Sequence, residues 1–156
     1  MSPTSTPTKF GIILFPGFQL LDATGPLDAL NLLATSHPLT LSIIAETLTP
    51  VSTRTDPQTM VGSVFAQSIV PTHTFSTAPR DLEVLILPGG LGTRDGSAME
   101  AVVEFLRGYG IAKWGKGADK GKWVVTVCTG SEVLARTGVL DGKRATTNKR
   151  GFNGVR

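Results

Sequence analysis

Residues 123–138 read WVVTVCTGSEVLARTG. The first five are apolar or β-branched and predict a buried strand. Gly130 and Ser131 permit a tight turn, residues 131–137 predict a short helix, and Gly138 supplies its stop. A strand that turns straight into a helix is one half of a parallel βα unit, and it sets Cys128 at the turn.

The same alternation extends in both directions from this stretch. Residues 10–15 (FGIILF) predict a strand closed by Pro16 and Gly17, and a helix follows with Gly25 and Pro26 in its first turn and apolar residues at Leu27, Leu30, Leu33 and Ala34. Residues 39–45 predict a second strand, 51–70 one or two extended pieces around Gly62, and 82–87 (LEVLIL) a buried strand stopped by Pro88, Gly89 and Gly90. Ser97 with Glu100 matches a capping box, predicting a helix over 98–107. Continuously apolar strands alternating with helices indicate an α/β fold, a mostly parallel central sheet covered by helices on both faces. Ligands of such sheets bind beyond the carboxyl ends of the strands. The loops at 16–25, 88–94 and 128–130 are therefore expected to converge.

A chain of 156 residues, 40% hydrophobic and 17% charged, suits one folded domain, here residues 10–156 behind a disordered tail at 1–9. The net charge is +3, and Lys113, Lys116, Lys120 and Lys122 fall in one glycine-rich connection, 108–122, that reads as a solvated loop. No basic face interleaved with aromatics appears, which argues against nucleic acid as a partner. One cysteine cannot form an intramolecular disulfide, and no apolar run approaches the roughly 20 residues of a membrane span. A cytoplasmic setting with no membrane partner is the expectation.

A lone cysteine among apolar residues is, taken alone, more often packing than nucleophile. At a strand-to-helix turn, however, free helix N–H groups favour the thiolate. The arrangement has the logic of a nucleophile elbow, with Thr126 where the serine motif carries its first glycine. Thr129 N–H and the glycines Gly89 and Gly90 are candidate donors to negative charge developing on a small-molecule substrate. Asp22, among apolar residues after the first strand, is either a helix cap or, beside the thiol, a general acid. Asp28 reads as surface.

The set FPGFQLLDATGP, LEVLILPGGLGT and VVTVCTGSEVLARTGVLDGKRATT, in this order, resembles the ThiJ/PfpI superfamily, related to class I glutamine amidotransferases, and within it the isonitrile hydratase-like branch. Asp rather than Glu in the first loop favours that branch. The resemblance implies a flavodoxin-like three-layer sandwich, usually dimeric, with neither metal nor organic cofactor. It also implies a nucleophile at Cys128, a facing acid at Asp22, an active-site neighbour at Thr129 and an oxyanion donor at Gly90. The implied reaction is hydration of an isonitrile to an N-substituted formamide through a cysteine-bound intermediate, and the implied setting is specialised metabolism.

Two alternatives stand beside it. Related branches run cofactor-free glyoxalase or deglycase chemistry, generally with a histidine near the cysteine, whereas this chain has Asn148 there, which cannot shuttle a proton near neutral pH. His37 and His73 read as surface loop residues, so a Cys-His amidotransferase or protease triad is disfavoured. The other alternative is a non-enzymatic redox or regulatory protein in which Cys128 is oxidised. The connection at 108–122 reads as a surface insertion. The sequence stops at GFNGVR, where the superfamily would continue through further strands and a helix; Phe152 and Val155 read as the start of an apolar helical face, and an incomplete sheet with an exposed edge is expected.

Overall fold

Apolar strands of four to six residues, too short and too β-branched for helices, pair side by side in the computed structural model, which describes residues 6–55 and 61–149. The main sheet contains β1 (Lys9–Ile13), β2 (Thr40–Ala45), β5 (His73–Thr74), β6 (Val84–Leu87) and β7 (Trp123–Thr126); β3 (Val51–Ser52) and β4 (Ser68–Ile69) form a separate antiparallel pair. The main sheet is ordered β5-β2-β1-β6-β7 and every pairing in it is parallel. This is the expected α/β, flavodoxin-like architecture.

Ile12, Ile13, Leu85 and Leu87 at the centre of the sheet are fully buried, each worth about 1.5–3 kcal/mol against exposure. Around them pack the helices α1 (Leu20–Ala34), α2 (Gly96–Tyr109) and α3 (Gly130–Ala135). The chain leaves β1 towards β2 on one side and later returns to β6 on the other. The carboxyl ends of β1 and β6 therefore flank a topological switch point, where such sheets hold ligands.

Several boundaries differ from the sequence reading, each for a tertiary reason. β1 begins at Lys9, inside the stretch assigned to the tail, because Glu83 Oε2 accepts from Thr8 N at 2.7 Å and Lys9 N at 3.0 Å. α1 starts at Leu20, not at Gly25, because Gln19 N–H donates to Gly89 O at 2.8 Å and fixes the entry. Pro26 consequently lies inside the helix, where its missing N–H leaves the Asp22 carbonyl without its helical donor. α2 is capped by Asp95, whose carboxylate accepts from Ser97 N and Ala98 N, and not by Ser97 itself. His73 is in β5, whereas His37 is exposed as expected.

The connection at 108–122 is more folded than a solvated loop. It contains two 3₁₀ turns, Trp114 meets Tyr109 edge-on at 5.8 Å, and Lys122 lies over the Trp114 ring while pairing with Asp119 at 3.0 Å. β7, expected to be buried, is an edge strand. Register places Phe10, Val84 and Trp123 on one face, and there Trp123 and Val125 remain 59% and 43% exposed. Phe152 and Val155 lie outside the described residues.

Candidate active site

The loops after β1, β6 and β7 meet as the switch-point rule requires. Gly17 O accepts from Gly92 N at 3.0 Å, Gly89 O accepts from Gln19 N, and Phe18 forms an isolated bridge with Gly90. These contacts draw the first loop and the Pro-Gly-Gly loop into one backbone unit. Thr129 joins them to the third loop, because its hydroxyl accepts from Gly90 N at 3.0 Å and from Thr93 Oγ1 at 3.2 Å.

Cys128 has φ +54°, a left-handed conformation that a residue with a side chain adopts only when its surroundings enforce it. Those surroundings are specific. The Cys128 carbonyl accepts from Ser131 Oγ and Thr147 Oγ1, both at 3.1 Å, and Gly130 N returns to Val127 O at 2.9 Å to close the turn. The strained turn holds a partly exposed sulfur at the head of α3. Asn148 Nδ2 donates to that sulfur at 3.0 Å, a charge-stabilising contact for a thiolate.

Asp22 is in the first turn of α1, partly buried, and its Oδ2 accepts from Gly89 N at 3.2 Å. A Cβ placed on Gly89 would come within 2.6 Å of Thr129 N and 3.0 Å of Asp22 Oδ2. The absence of a side chain at Gly89 is thus what lets the carboxyl and the residue after the cysteine converge. The N–H groups of Gly89 and Gly90, read from sequence as anion donors, are engaged by Asp22 and Thr129 and hold the site together. Thr129 N–H has no acceptor among the described residues.

Glu83, before β6 at the opposite end of the sheet, is held below the usual carboxylate range chiefly by the Thr8 N–H, and burial raises the Tyr109 phenol. Among the described residues no group of three or more His, Cys, Asp or Glu side chains could hold a metal, and no helix is long and apolar enough to cross a membrane.

The model of the DJ-1/PfpI family matches residues 8–153. The chain belongs to the DJ-1/PfpI family. It is 35% identical to isonitrile hydratase of Pseudomonas putida over 140 residues, 90% of this chain and 52% of that protein. It is also 28% identical to an uncharacterized protein in the cpoL 5′ region of Streptomyces lividans, covering 93% of this chain and 90% of that one. Among solved structures, a ThiJ/PfpI family protein from Pseudomonas syringae superposes with a TM-score of 0.61 at 30% identity, covering 93% of this chain and 52% of that one. The chain thus spans about half the length of the hydratase and of the P. syringae protein.

Sequence reasoning placed Cys128, Asp22, Thr129, Gly89 and Gly90, and the structure assembles the last four in one hydrogen-bonded cluster joined to Cys128 by the chain. It missed the contacts made by Ser131, Thr147 and Thr93. Asn148 drew notice as a non-histidine, but its bond to the sulfur had no local signal.

Proposed function

We propose that this chain carries the reaction centre of an isonitrile hydratase-like enzyme. The observation that carries the reading is the Cys128 turn: a sulfur set out on a left-handed residue and met by an amide donor from Asn148, its neighbour Thr129 bonded to the Pro-Gly-Gly loop that also anchors the Asp22 carboxyl. Similarity to isonitrile hydratase supports it.

The thiolate adds to the terminal isonitrile carbon, forming a C–S bond, and the Asp22 carboxyl delivers a proton to that carbon to give a thioimidate. Water then adds to the same carbon and the C–S bond breaks. One of the water's protons restores the Asp22 carboxyl and the other ends on nitrogen, so the product is an N-substituted formamide with no change of net oxidation state. Thr129 N–H faces the negative charge that develops during water addition, a role worth about 2.7–4 kcal/mol where such donors have been removed. Asn148 donates to sulfur and takes no proton, which suits addition and elimination of a thiolate better than the proton relay of a glyoxalase.

The test is turnover of alkyl and aryl isonitriles and of α-oxoaldehydes by the purified chain, with Cys128→Ala as control. Formamide produced by the parent and absent from Cys128→Ala supports the reading. Full formamide production by Cys128→Ala, or turnover confined to the oxoaldehydes, contradicts it.

A further inference from the structure

Against the Leu91–Arg94 turn lies a cavity of about 650 Å³, walled by Pro16, Arg54, Leu91, Gly92, Arg94 and Asp95. Its volume is that of a small-molecule site. Two arginines and one aspartate line it; Asp95 Oδ1 accepts from Ser97 N, Ser97 Oγ and Ala98 N at the head of α2, and among the described residues neither arginine forms an ion pair. Arg54 Nε is buried and has no hydrogen-bond partner among the described residues, an unfavourable state that an anionic acceptor would relieve.

Arg54 is not on a loose segment. Its own N–H donates to Ser52 Oγ at 3.1 Å, and the adjoining Thr53 exchanges bonds with Gln67 across the β3–β4 pair. Arg94 ends the 3₁₀ turn Leu91–Arg94, whose Thr93 hydroxyl contacts Thr129. The Leu91–Arg94 turn thus holds Thr93 against Thr129 while Leu91, Gly92 and Arg94 line the cavity.

From this the structure assigns a second site: a pocket in which Arg54 and Arg94 bind a small anion bearing a carboxylate or phosphate group. Planar guanidinium forks match both groups, with two N–H donors per anion. The anion is either part of the molecule that reacts at Cys128 or a separate ligand. The site itself does not depend on the isonitrile reading; only the choice between these sources rests on it.

The experiment is calorimetric titration of the full chain with inorganic phosphate and with malonate at fixed ionic strength, on the parent and on Arg54→Gln, Arg94→Gln and Arg54→Lys. Saturable one-to-one binding, weakened at least tenfold by either glutamine variant, is expected. Arg94→Gln alters an exposed side chain and carries the test if Arg54→Gln fails to fold. Absence of saturable binding to the parent with both probes, or parental affinity in both glutamine variants, overturns the assignment. A kinetic arm compares a carboxylate-bearing isonitrile with its methyl ester. If the anion belongs to the substrate, Arg94→Gln lowers kcat/KM at least tenfold for the acid and leaves the ester unchanged; if it is separate, both isonitriles are unaffected while phosphate binding is still lost. Phosphate binding without turnover of any isonitrile refutes the proposed reaction and upholds the anion site.

Discussion

Replacing Gly130 with alanine should disable the reactive turn while altering no polar group in it. The added Cβ would sit 2.2 Å from Leu87 O and 3.0 Å from both Leu87 C and Pro88 O, all backbone atoms that no rotamer change can move. Leu87 O is itself fixed, accepting from Val127 N at 3.0 Å. The contact falls short of van der Waals distance by about 1 Å, so β6 and the turn must separate by that amount, and overpacking of this kind costs about 1–3 kcal/mol. The same displacement acts on Cys128, two residues earlier, and on Thr129, whose hydroxyl must meet Gly90 N. A misplacement of about 1 Å costs about a hundredfold in rate. Urea denaturation should show the loss of stability, and formamide production the loss of kcat. A Gly130→Ala chain with parental urea midpoint and turnover would refute the claim that close packing of β6 against the turn sets the thiol's position.

Asp22→Asn keeps an oxygen for the Gly89 N–H but removes the proton donor; turnover should fall about 10²–10⁴-fold with the fold intact by circular dichroism. Gly108→Ala, within α2 and with nothing within 4 Å of the new methyl, should stabilise the chain by about 0.5–1 kcal/mol in urea titration. Glu83 has a folded-state proton affinity lowered by Thr8 and Lys9 donors, so its stabilising contribution is present above the unfolded carboxyl's titration range and disappears as pH falls through the folded one. Glu83→Gln should therefore lower the urea midpoint at pH 7 and reduce its further decline towards pH 3, relative to the parent.

The parts of the molecule legible in sequence are those fixed by local chemistry. Apolar runs closed by Pro-Gly mark β1 and β6, the apolar run before the Gly130-Ser131 turn marks β7, and because all three are parallel, marking their ends also marked where the loops meet. The entry of α1 was not legible because a bond across 70 residues, Gln19 to Gly89, determines it and overrides the breaker pair Gly25-Pro26. At α2, the Ser97–Glu100 pattern placed the cap two residues late, because the Asp95 carboxylate takes the Ser97 and Ala98 N–H groups. Asn148 reaches the sulfur from an irregular segment 20 residues beyond Cys128, where no periodicity reports on tertiary position. The Arg54–Arg94 cavity joins residues 40 positions apart, each unremarkable in its own segment.

The central claim is that Cys128 forms a covalent bond to substrate carbon. Acid quenching of the parent chain during turnover of an aryl isonitrile, followed by peptide mass mapping, tests it directly. The account predicts a mass increment equal to one isonitrile on the peptide containing Cys128, absent from Cys128→Ala. Formamide accumulation with Cys128 unmodified at every quench time, and undiminished in Cys128→Ala, would contradict it.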